Sequence, residues 1–84
     1  GYVNFYDGSL QSLTIKGGDT PLVIEGDAFA GCQGLYGKTI VLPARVNELA
    51  GSAFLGIDRA TFKIYNPNIK LISGGTSLYL ENEV

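Results

Sequence analysis

The chain has 84 residues, 45% of them hydrophobic and 17% charged, with a net charge of −2 at pH 7. That size fits one small domain or a piece of a larger one, too apolar for disorder, burying only roughly 60–65% of its unfolded surface. The six basic residues (Lys16, Lys38, Arg45, Arg59, Lys63 and Lys70) are scattered, which argues against a nucleic-acid or anionic-membrane surface.

Taken in chain order, residues 1–8 read GYVNFYDG, with Val3 and Phe5 alternating against Tyr2, Asn4 and Tyr6 as in an end cap. The run Leu10-Gln-Ser-Leu13-Thr-Ile15 has the L-x-x-L-x-L shape of a leucine-rich-repeat strand, with Leu13 and Ile15 facing a core and Thr14 facing out. The heptapeptide GDAFAGC, residues 26–32, follows; Asp27 is expected as a helix N-cap, Ala-Phe-Ala as one helical turn and Gly31 as its stop. Thr39-Ile40-Val41-Leu42 reads as a strand closed by Pro43, since proline cannot donate to a ladder. The heptapeptide then returns as GSAFLGI, residues 51–57, with Ser52 as N-cap and Gly56 as stop, so that Phe29 and Phe54 are expected to stack between layers. Thr61-Phe62-Lys63-Ile64-Tyr65, closed by Pro67, and Ser77-Leu78-Tyr79-Leu80-Glu81 complete the expected strands.

Self-similarity at a period of about 20–50 residues is the mark of a coil that stacks on itself. Here Leu10 falls on Leu35, Ile15 on Ile40, Ile24 on Leu49 and Phe29 on Phe54, and Ile40 then falls on Ile64 and Pro43 on Pro67. Val46 and Leu49 correspond to Ile69 and Ile72. These matches predict an α/β repeat fold, mostly β: a short leucine-rich-repeat solenoid with a parallel sheet of about three to four short strands and brief helical turns. The single domain divides into a partial N-terminal repeat or cap (1–21), two repeats (22–46 and 47–72) and a degenerate C-terminal cap (73–84).

The pattern Ile24-Glu-Gly-Asp-Ala-Phe-Ala-Gly-Cys32-Gln-Gly-Leu35, followed by Ile40-Val-Leu-Pro43-Ala-Arg-Val46-Asn-Glu-Leu49, resembles the BspA-like leucine-rich repeats of bacterial surface proteins. The likeness is close from about residue 22 to 72 and departs at Ile57, where the family carries Cys. The chain also holds only two clear repeats where family members carry long arrays, and its final connection, from Ile64 to Leu80, is short. The resemblance implies a secreted or cell-surface protein, an adhesive role and a protein partner on a host or bacterial surface.

Chemistry is sparse. CQGLYGKT, residues 32–39, ends like a phosphate-binding P-loop, but Cys32 stands where the first Gly should be and Thr39 leads into a β-rich run rather than a helix. The chain has no His, which removes the commonest general base and metal ligand. Cys32, the one cysteine, reads as a small buried hydrophobe and forms no internal disulfide. The eight carboxylates lie in turns and near the ends without calcium-loop spacing, and most glycines sit at turns. We therefore expect no enzyme activity, no catalytic residue, no cofactor and no metal. No apolar run approaches the ~18–20 residues that span a bilayer, and no membrane insertion is expected. The chain starts at Gly1 and contains no Met, so it is expected to begin inside a longer product or after a cleaved tag.

What remains is surface. Coils of this kind bind through equivalent positions of successive layers. The outward strand positions, Thr14, Val41, Lys63, Tyr65 and Tyr79 above all, form the candidate protein-binding face. The alternative is a spacer or capping domain with no ligand of its own. A short array also exposes its end layers, so weak homodimerisation through those ends is expected.

Overall fold

The computed structural model describes residues 10–57, 59–72 and 78–84. Six strands form: β1 (Leu22–Ile24), β2 (Thr39–Leu42), β3 (Val46–Ala50), β4 (Thr61–Ile64), β5 (Lys70–Ile72) and β6 (Tyr79–Asn82). They sort alternately into two three-stranded parallel sheets, β1-β3-β5 and β2-β4-β6. Two 3₁₀ turns, Gln33–Leu35 and Gly51–Phe54, are the helical structure among the described residues. The molecule is thus mostly β, and its Cα atoms spread over only 29 × 22 × 21 Å.

The expected strands at 39–42 and 61–65 appear at those places, and the last runs Tyr79–Asn82; Ser77 lies outside the described residues. In β2 and β4 the side chains alternate as a half-buried strand requires: Ile40, Leu42, Phe62 and Ile64 are buried, while Thr39 and Val41 are exposed. Three expectations need correction. The return segments, read from sequence only as apolar pairs, are strands too, so the single expected sheet is two. Leu10–Ile15 forms no strand, although Leu13 and Ile15 do turn toward the core and Thr14 away from it. And the ladders are offset from the sequence match: Ile40 pairs with Phe62, not Ile64, and Leu49 with Leu71, not Ile72.

The repeated heptapeptide forms the corners. Its two copies stack through backbone bonds, with the amides of Asp27, Phe29 and Gly31 donating to the carbonyls of Ser52, Ala53 and Leu55 at 3.2, 2.7 and 3.2 Å. Phe29 and Phe54 stack as expected, ring centroids 5.2 Å apart and 11° from parallel, and Phe54 also meets Phe62 at 4.6 Å. Gly31 and Gly56 take φ of +80° and +83°, a left-handed conformation that glycine adopts without Cβ strain. The expected N-caps are not formed. Asp27 itself has φ +64°, and Ser52 sits inside its 3₁₀ turn, whose leading residue is Ala50.

Between the sheets lies a core with no buried polar or charged residue among those described. Leu35, Val46, Phe54, Phe62 and Cys32 are all completely buried there. Cys32 is therefore the buried corner residue that its apolar neighbours suggest.

Candidate functional site

Parallel pairing in strict register turns sequence positions into rows. Across β2, β4 and β6 one row is Thr39–Thr61–Tyr79 and the next is Val41–Lys63–Glu81. Adjacent strands stand roughly 4.8 Å apart, so side chains within a row are in reach of one another. Tyr65 follows directly after β4 on the face that Thr61 and Lys63 share, its amide bonded to the Leu42 carbonyl at 3.3 Å.

This face is mixed in character. Val41, Tyr65 and Tyr79 are 46%, 39% and 57% exposed. Lys63 is half-buried, in register between Val41 and Glu81. The structure thus places Val41, Lys63, Tyr65 and Tyr79 on one face, with Val41 and Lys63 neighbours in a row and Tyr79, in the Thr61 row, four residues along the strand direction from Tyr65. It does not join Thr14 to them by a ladder. Thr14 is exposed in the unpaired 10–17 segment and lines a cavity of about 440 Å³ with Leu13, Ile15, Leu22, Ile24 and Arg45.

Arg45 holds the segment in place: its Nε donates to the Lys16 carbonyl at 2.7 Å and its Nη1 to the Thr20 carbonyl at 3.0 Å. Gly34 lies against the Leu10 carbonyl farther back. The segment therefore runs alongside residues 34–45 in the same direction, without ladder bonds. The 32–39 stretch that ends like a P-loop turns through Gly37 at φ +69° and enters β2, so Thr39 starts a strand and no helix opens toward a phosphate.

Sequence reasoning missed the exposure of β5. Leu71 and Ile72 are 49% and 41% exposed, although Ile72 was matched to the buried Leu49. The lost signal is positional: β5 has a strand on one side only among the described residues. Among those residues no group of three or more His, Cys, Asp or Glu could hold a metal ion, and no helix is long and apolar enough to cross a membrane. No protein-family model matches the sequence, and comparison with curated proteins and with solved structures likewise yields no match.

Proposed function

We propose that the chain is a non-catalytic protein-interaction module, built as a short leucine-rich-repeat solenoid of the BspA-like kind and carried by a secreted or cell-surface bacterial protein. Its partner is a protein of a host or bacterial surface, and adhesion is the role that the resemblance favours. The observation that carries the binding reading is the exposure of Val41, Tyr65 and Tyr79 on the outer face of β2-β4-β6, with Lys63 and Glu81 between and beside them. Tyrosine and an aliphatic neighbour flanked by charge are the composition of an interface centre with a polar rim. The solenoid reading draws support from the alternation of the chain between two parallel sheets and from its self-stacked corners. No cofactor enters this function.

The test is binding of the folded chain to arrayed host extracellular and bacterial-surface proteins, beside a Tyr65→Ala/Tyr79→Ala variant of equal melting temperature. A partner bound by the parent and lost at least tenfold by the variant is the expected result, since a central interface tyrosine contributes about 1–2 kcal/mol or more. Silence from both, on folded samples, would leave the spacer reading, in which the sheet face serves no ligand.

A further inference from the structure

The outer face of β2-β4-β6 runs one row farther than its strands. The Tyr65 amide donates to the Leu42 carbonyl at 3.3 Å and the Glu83 amide to the Ile64 carbonyl at 2.8 Å, so the ladder sets Glu83 beside Tyr65. Glu81 lies one row back, in register with Lys63. Two residues apart on an extended chain, the two carboxylates leave the same side of the sheet, roughly 7 Å from each other along the strand.

Both are exposed, and the chain's own bases do not neutralise them. All six of its Lys and Arg fall within the described residues, where the ion pair is Lys70 with Glu48, in the other sheet. Lys63, the half-buried base in register with Glu81, sets one positive charge against two negative. Carboxylates alone would be an ordinary solvated edge. Here they border the exposed ring of Tyr65, and Val41 is exposed in the row of Lys63 and Glu81. An acid pair beside an exposed tyrosine is complementary to arginine above all. A guanidinium stacks on the ring and forks to carboxylate oxygens, whereas an ammonium offers only a point charge. The same two charges disfavour an acidic partner.

We infer that the partner of this face is a basic protein surface, which sets an arginine against Tyr65, Glu81 and Glu83 and an aliphatic neighbour over Val41. The inference rests on the proposed binding function and names the chemistry of what binds. Because both carboxylates are exposed, added salt weakens the contact, and the charge of Lys63 opposes it.

Titration of the isotope-labelled 84-residue chain with a capped Arg-Leu-Arg peptide, beside Lys-Leu-Lys and Glu-Leu-Glu, tests this through amide NMR shifts. The arginine peptide is expected to move the amides of Tyr65, Glu81 and Glu83, the lysine peptide to bind more weakly, and the glutamate peptide to leave them in place. Glu81→Gln/Glu83→Gln should weaken the arginine peptide about tenfold, and Lys63→Gln should strengthen it about two- to fivefold. Glu25→Gln, an exposed carboxylate that follows a strand of the other sheet, should change nothing. The unmoved remainder of each spectrum checks that the fold is kept. An arginine peptide that moves none of the three amides, a lysine or glutamate peptide that binds as well, or an affinity that survives loss of both carboxylates would overturn the inference. Its failure is separable from failure of the binding function. A surface partner lost by Tyr65→Ala/Tyr79→Ala yet kept by Glu81→Gln/Glu83→Gln would leave the interaction module standing and remove the arginine.

Discussion

Asn66 bonds in three directions from a single turn. Its Nδ2 donates to the Val46 carbonyl at 3.2 Å and to Asn47 Oδ1 at 2.9 Å, while its Oδ1 accepts from the Asn68 amide at 2.8 Å. The last bond is the local turn that asparagine side chains favour; the first two bind this turn to the preceding coil. Asn66→Ala removes all of them and leaves the part-buried Val46 carbonyl short of a donor, so a loss of about 1–2 kcal/mol is expected in urea unfolding. Asn66→Asp keeps the turn bond but offers no donor, and should recover less than half. If Asn66→Asp proves as stable as the parent, the bridge between coils contributes nothing. Gly34 makes a steric argument at the same scale. A Cβ there would run into the Leu10 carbonyl, and backbone cannot step aside as a side-chain tip can. Gly34→Ala is expected to cost about 1–3 kcal/mol by overpacking or by dislodging residues 10–15. The contrast is Gly26, where the nearest atom is the Ser52 hydroxyl, which can rotate away. Gly26→Ala should therefore cost clearly less, and equal losses at the two sites would contradict this account.

At the scale of elements, Phe54 shows why the heptapeptide is repeated. Its ring contacts Phe29 of the previous corner and Phe62 of β4, so one side chain joins two corners and a sheet. Phe54→Ala should cost about 3–5 kcal/mol, the range for deleting a fully buried phenylalanine, and a thermal melt within a few degrees of the parent would refute that role. Which elements could be read from sequence follows from the same contacts. β2 and β4 were legible because their β-branched and aromatic residues alternate and a proline follows. β3 was not, because Glu48 is half-buried and Leu49 and Ala50 are buried in succession, which leaves no clean alternation to see. The register misled for a related reason. A shift of two residues preserves which side chains face inward, so Ile40 opposite Ile64 and Ile40 opposite Phe62 look equally sound on pattern alone. The corners defeated local rules outright, since the positive φ of Asp27 goes with an amide that bonds the Ser52 carbonyl one coil away. Which side chains of β2 and β4 point outward was legible because outwardness needs only the two-residue period; Thr14 does not join them by a ladder because residues 10–15 form no strand.

For the whole molecule, stability is shared among few layers. A domain of 84 residues has roughly 4–13 kcal/mol to lose. The ion pair found among the described residues, Lys70 with Glu48, is exposed on its lysine side and contributes little, so salt should hardly move the melt of a dilute sample. Burial is what matters, and β6 makes the sharpest case. Every one of its residues is exposed, which invites the view that it is dispensable. Yet Leu80 pairs with Phe62 and Asn82 with Ile64, and these two partners, 0% and 5% exposed, have β6 as the strand along one flank. Removing residues 79–84 would uncover one flank of each. If that forfeits half of the ~1.5–3 kcal/mol that full burial of each side chain contributes, the loss is about 1.5–3 kcal/mol before any ladder hydrogen bond is counted. For a domain of this size each kcal/mol lowers the melting temperature by about 4–8 °C, so the truncated chain should melt about 6–24 °C below the parent. Circular dichroism melts of the two chains decide the matter. An unchanged midpoint would mean that β4, rather than β6, is the true end of the folded stack.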